Sequence, residues 1–167
     1  MPTLVSDTSV VVDLERGGLL ESVFQLPQAF AVPDLLFERE LAGELGDRLV
    51  ALGLQIVSLT GAEVTVAAQI ARAERALSGP DAFAFALAQS RTWTLLTGDG
   101  ALRRVGQMQG VEVHGVFWLL DRLEADAGCA AHILHAGLTA MADHPRCRLP
   151  RAEINRRLAR YSPDGAA

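Results

Sequence analysis

Five short runs rich in valine, leucine and isoleucine, separated by longer segments with helical spacing, constrain this chain more than any other feature. The runs are "TLVS" (3–6), "AFAV" (29–32), "LQIVSL" (54–59), "TLLT" (94–97) and "VEVH" (111–114). Several read as continuously apolar, the mark of strands covered on both faces. Between them, Pro33 opens a helical pattern in which Phe37, Leu41, Leu45, Leu49 and Leu52 form one stripe. Val66, Ile70, Ala73 and Leu77 form a second stripe, and "PDAFAFALAQSR" (80–91) begins with a proline and an acid, as helices do. This alternation predicts a three-layer α/β/α domain with a mostly parallel sheet over residues 1–125. After "WLLDRL" the alternation stops. "CAAHILHAGLTAMA" (129–142) and "RAEINRRLARY" (151–161) predict two further helices, a C-terminal helical extension over 126–167 packed on the same domain.

A chain of 167 residues, half of them apolar, supports one domain with a full core and is short for two. The opening "MPTLVSD" lacks the basic and apolar regions of a secretory leader. No apolar run approaches the roughly 18 residues of a membrane span. A soluble, cytoplasmic protein with no membrane association is expected. Two cysteines, Cys129 and Cys147, do not make a disulfide framework. The net charge of −5 argues against an indiscriminate nucleic-acid coat. The basic charge is uneven, however. All 15 basic residues are arginine, and six of them (146, 148, 151, 156, 157 and 160) crowd the stretch from Pro145 to Tyr161 against one acid, Glu153.

In an open parallel sheet, ligands bind at the carboxyl ends of the strands. "TLVSD" puts Asp7 just past the first strand, and "TLLTGD" puts Asp99 just past a later one, between two glycines that let the backbone turn sharply. Asp81 opens the helix that precedes that strand, although "SGPD" is also a helix-start signature in its own right. A fourth acid should come from "FERELAGE", where Glu38, Glu40 and Glu44 are also ordinary solvated helix acids. Each acid alone has a structural reading as a turn former or cap. Together, three or four carboxylates in one crevice would repel strongly unless a cation neutralised them. Oxygen-only ligands favour a hard divalent ion, Mg²⁺ or Mn²⁺, and such an ion suits phosphate chemistry.

With these positions the sequence resembles the PIN-domain nucleases, and within them the VapC-like toxins of toxin–antitoxin systems. "VSDTSVVVDL" is similar to the family's opening strand, acid and Thr/Ser pair, and "VPDLLFERELAG" to its second-helix acidic motif. "LSGPDAFAFALAQ" with "WTLLTGDGALRRVGQMQGVEVHGVFWLLDRL" is similar to its third and fourth acids and closing strand. The resemblance implies a metal-dependent ribonuclease, the toxin of a type II toxin–antitoxin pair, with Mg²⁺ or Mn²⁺ held by Asp7, Asp81 and Asp99. Thr8 and Ser9 would be supporting hydroxyls, and Thr97 would orient Asp99. A small antitoxin partner and a homodimer are also implied. The helix-two acid stays open: the family pattern favours Glu40, whereas a helical wheel puts Glu38 inside the apolar stripe.

Other readings are weaker. Cys129, His132 and His135, with His144 and Cys147, fit no zinc template. Receiver domains place acids similarly but rely on a lysine, and this chain has none. A catalytically inactive PIN-like binding module is the alternative from a different class. The arginine-rich tail reads either as a solvated helix or as a phosphate-contacting arm. Trp93 and Trp118 read as packing residues.

Overall fold

In the computed structural model, which describes residues 3–163, the apolar runs pair into a single five-stranded sheet. The strands are β1 (Thr3–Ser6), β2 (Ala29–Pro33), β3 (Gln55–Val57), β4 (Thr94–Leu96) and β5 (Val113–His114). Their spatial order is β3-β2-β1-β4-β5, and every neighbouring pair is parallel. The fold is α/β, as the strand–helix alternation predicts. Register places Val5 opposite both Ala31 and Leu95, and Ser6 opposite Leu96. Chain order therefore reverses between β1 and β4, and the crevice at that switch point opens at the carboxyl ends of both strands.

Helices cover the two faces. α6 (Gly79–Arg91) packs on β1, β2 and β4, with α5 (Gly61–Ala73) laid against it. On the other side α1 (Thr8–Arg16) packs with α8 (Val116–Asp126) and α9 (Ala131–Asp143), and α10 (Arg151–Tyr161) lies on α9. The short α2 (Leu20–Val23) joins this layer through α1 and α8, while α7 (Gly100–Met108) lies along β5. One continuous core links both layers through the central strands, where Leu4, Val5, Leu95 and Leu96 are essentially inaccessible. Among the described residues, no helix is long and apolar enough to cross a membrane.

Three expectations need correction. The edge strands are shorter than their apolar runs: "LQIVSL" narrows to Gln55–Val57 and "VEVH" to Val113–His114. Ile56 on β3 is 44% exposed, because an edge strand has a neighbour on one side only. The stripe from Pro33 is not one helix. Pro33 ends β2; a short α3 (Asp34–Leu36) runs into a π-helical turn (Phe37–Leu41), and α4 (Glu44–Leu52) starts afresh. Gly43 breaks the path at φ +118°, which favours a residue with no Cβ. The second stripe also ends early, at Ala73, and Leu77 is buried from a turn instead.

Between α5 and α6 lies an ion pair whose acid is buried and whose arginine is half-buried. Glu63 is the third residue of α5 and closes a capping box with Thr60. Its Oε1 accepts from Arg91 Nε (3.0 Å) and Ser90 Oγ (2.8 Å), and its Oε2 accepts from the Thr60 N–H (2.9 Å). Arg91, whose guanidinium lies over the Trp93 ring, chiefly holds the Glu63 carboxyl down to about 2. A depressed carboxyl stabilises the fold fully above its unfolded value of 4.5, and that contribution is lost as pH falls toward 2. Glu63→Gln should cost about 1.5–3 kcal/mol in urea unfolding at pH 7. The gap between variant and wild type should shrink steadily from pH 5 to pH 3.

Candidate active site

The switch-point crevice is built around Asp7. Its N–H donates to Leu96 O at 2.9 Å, so the β1–β4 ladder continues one step beyond β1 and carries the acid with it. Its side chain caps α1: Oδ1 accepts from the Val10 N–H (3.1 Å) and from Ser9 Oγ (2.7 Å). Oδ2 accepts from Thr97 Oγ1. Asp7 is 2% exposed, and burial pushes its carboxyl up to about 6 against the pull of these three donors. The charge of Asp81 raises it further.

Two hydroxyls couple Asp7 to the turn after β4. Thr97 Oγ1 donates to Asp7 and accepts from the Asp99 N–H at 3.0 Å. Ser9 Oγ donates to Asp7 and accepts from the Gly98 N–H at 3.0 Å. A Cβ at Gly98 would lie 3.2 Å from Ser9 Oγ, so the glycine is what lets the turn come this close. Asp99 in turn caps α7, its Oδ1 accepting from the Leu102 N–H at 2.9 Å.

The remaining acids approach from elsewhere. Glu40, in the π-helical turn, accepts the Thr8 hydroxyl on Oε2, which ties that turn to the residue after Asp7. Glu38 is exposed and makes no hydrogen bond or ion pair among the described residues. A helical wheel advances 100° per residue, whereas the π-helical turn at Phe37–Leu41, closing i→i+5 bonds, advances less, so Glu38 does not point where the wheel puts it. Glu44 is exposed in the first turn of α4. Asp81 fills the capping role that "SGPD" predicts, since its Oδ2 accepts from the Ser78 N–H at 3.2 Å. Thr8, Ser9 and Thr97 all take part in the network.

The donor set suits a hard divalent cation. It consists of carboxylate oxygens, and Glu40 Oε1, Asp81 Oδ1 and Asp99 Oδ2 make no hydrogen bond among the described residues. A cation would also favour ionisation of Asp7, which burial opposes. The side chains do not close on a point: among the described residues, no group of three or more His, Cys, Asp or Glu is gathered as a ligand set.

Two neighbours escaped sequence reasoning. Ser6 is buried and donates to the Asp7 carbonyl at 2.9 Å. Arg103 Nη2 donates to the Thr97 carbonyl at 3.2 Å, in space that a Cβ at Gly115 would occupy, 2.7 Å from that nitrogen. The signal was available in "TGDGALRR", where Arg103 follows Asp99 by one helical turn.

A family model described as a PIN domain matches residues 3–163, so the match runs through the C-terminal extension. No curated protein matches the chain significantly.

Thr97→Val keeps the side-chain shape, removes the donor to Asp7 and leaves the Asp99 N–H without its acceptor. The variant should lose about 1–3 kcal/mol in chemical denaturation. Thr97→Ser, which keeps the hydroxyl, should recover most of that loss.

Proposed function

The chain belongs to the PIN-domain family, whose members are generally nucleases, and on that premise we propose that it is a metal-dependent ribonuclease hydrolysing RNA phosphodiester bonds. The observation that carries this reading is the double hydroxyl link at the switch point. Thr97 and Ser9 hold Asp7 and the Gly98–Asp99 turn in fixed relation, while Thr8 draws in Glu40.

Asp7, Asp99 and Glu40 would hold Mg²⁺ or Mn²⁺, with Asp81 completing the acidic pocket. The bound ion would polarise a phosphoryl oxygen and lower the pKa of the attacking water. The chain's own residues supply position. Thr97 keeps the Asp7 carboxylate from rotating, and Ser9 holds the turn that presents Asp99. α7 directs the positive end of its dipole toward the crevice, where an anionic substrate would sit. Hydrolysis would leave a 5′-phosphate and a 3′-hydroxyl. The likeness of the motifs around Asp7, Glu40 and Asp99 to VapC-like toxins extends the proposal to the toxin of a type II pair, with a small antitoxin and a second copy of the chain as partners.

One observation favours a second reading, an inactive PIN-like binding module. Both Asp7 oxygens already have protein donors, and the acids are not gathered as a ligand set among the described residues.

Calorimetric titration with Mn²⁺, paired with cleavage of a mixed-sequence RNA, separates the two readings. Wild type should bind saturably, and Asp99→Asn and Glu40→Gln should weaken binding by about 100-fold or more and abolish cleavage. Glu38→Gln should stay close to wild type. Absence of Mn²⁺ binding in the wild type would leave the inactive-module reading standing.

A further inference from the structure

The segment joining α9 to α10, residues 144–150, walls two crevices on either side of the Gly98–Gly100 turn. One, of about 690 Å³, is lined by Ser9, Arg16, Asp99, Arg146 and Cys147. The other, of about 480 Å³, is lined by Arg103, His114, Phe117, Trp118 and Glu153. Arg148 and Leu149 line both.

This segment is built to aim its arginines outward. Cys147 and Leu149 pack against the core, while Arg146 and Arg148, the residues that alternate with them, are exposed. The segment is also held in shape. The Arg146 N–H donates to His144 Nδ1 at 3.1 Å, the Cys147 N–H donates to the His144 carbonyl at 3.0 Å, and Arg151 reaches back to the Ala142 carbonyl at 3.4 Å.

Pairing divides the extension's arginines. Arg156, Arg157 and Arg160 are engaged by Glu153, Asp121 and Glu124. Arg146 and Arg148 form no ion pair among the described residues, nor does Arg103 across the second crevice. An RNA strand approaching Asp7, Asp81 and Asp99 must pass carboxylates that repel its phosphates. Uncommitted guanidinium forks beside Asp99 offset that repulsion and match phosphate oxygens in shape. In the second crevice the His114 ring stacks on Trp118 (4.3 Å between centroids, 8° between planes) and adds aromatic surface. Asp13 lines both crevices and Glu153 the second, so their charge is mixed, but guanidinium groups set beside aromatic rings are how unpaired strands are held.

We infer that the 144–150 segment is a substrate clamp, in which Arg146 and Arg148 grip the backbone phosphates of single-stranded RNA beside the Asp7–Asp99 crevice. This rests on the ribonuclease reading for its substrate, but its test does not need catalysis. Binding of a labelled, mixed-sequence single-stranded RNA is measured by fluorescence anisotropy in EDTA across a salt series. The proteins are wild type, Arg146→Ala/Arg148→Ala, and the control Arg72→Ala/Arg75→Ala, whose arginines lie on and just after α5. Each phosphate contact on a single strand contributes about 0.7 to the slope of log K against log salt. The clamp variant should therefore lose about 1.4 from that slope and bind at least about tenfold more weakly, with the control unchanged. With Mn²⁺ present, KM should rise more than kcat falls. Equal slopes in all three proteins would overturn the clamp, as would equal losses in the clamp variant and the control. Wild-type binding with the expected slope loss but no Mn²⁺-dependent cleavage would uphold the clamp and overturn the nuclease reading.

Discussion

A buried carboxylate at the end of the first strand sets the terms for everything around it. Asp7 is almost inaccessible, and ionising it there is opposed strongly enough to lift its carboxyl to about 6. A group in that position must be surrounded by donors, and the chain supplies them from three places: the Val10 N–H, the Ser9 hydroxyl and the Thr97 hydroxyl. Two of these donors are acceptors in turn, for the Gly98 and Asp99 N–H groups. Satisfying Asp7 therefore also shapes the turn that carries Asp99. Because the Asp7 N–H extends the β1–β4 ladder, this geometry belongs to the rigid sheet and not to a free loop. Pre-organised polar groups on rigid elements are what a site for charged chemistry needs.

Elsewhere, charge pairing commits Arg156, Arg157 and Arg160 to acids outside that network. Arg157, only 10% exposed in its side chain, bridges Asp121 on α8 to Glu153 on its own helix and lies over the Phe117 ring. Losing one partner of such a pair would strand a charge in the interior, so this contact fixes α10 on α8. The more exposed Arg160 pairs contribute little energy but add register. The net result is a tail whose C-terminal arginines are structural and whose first two remain available next to the acids.

Much of this was legible in the sequence. The central strands were readable because β1 and β4 are covered on both faces: every position is buried, and the middle of each run, Leu4–Val5 and Leu95–Leu96, is apolar without alternation. Asp7 and Asp99 were readable because parallel topology fixes where strand ends must meet. The edge strands and the π-helical turn were not. Ile56 has the composition of a core residue but sits on an edge, and apolar content does not record how many neighbours a strand has. Between Phe37 and Leu41 the sequence keeps helical spacing while the backbone adopts a different period, so a wheel drawn at 100° per residue pointed to Glu38. The contact that draws in Glu40 is a long-range hydrogen bond from Thr8, 32 positions away, which no local pattern encodes.

The same long-range logic explains how a tail beyond the sheet comes to stand beside the acids. α1 starts at Asp7 as its cap and ends at Gly17, and the far end of this helix is where α9 docks. The approach there is close: a Cβ on Gly137 would lie 2.8 Å from Leu19 Cδ1 and 3.0 Å from the Gly17 carbonyl. Any side chain at Gly137 would lever α9 away from α1. α9 then leads directly into the 144–150 segment, which returns along α1 to line a crevice with Ser9, Val12, Asp13 and Arg16. One helix thus serves as the ruler between two charges of opposite sign, with the buried acid capping its first turn and the arginine segment lying along its side. Displacing α9 would move the arginines relative to the carboxylates, so the fit between them depends on the glycine contact at the end of α1.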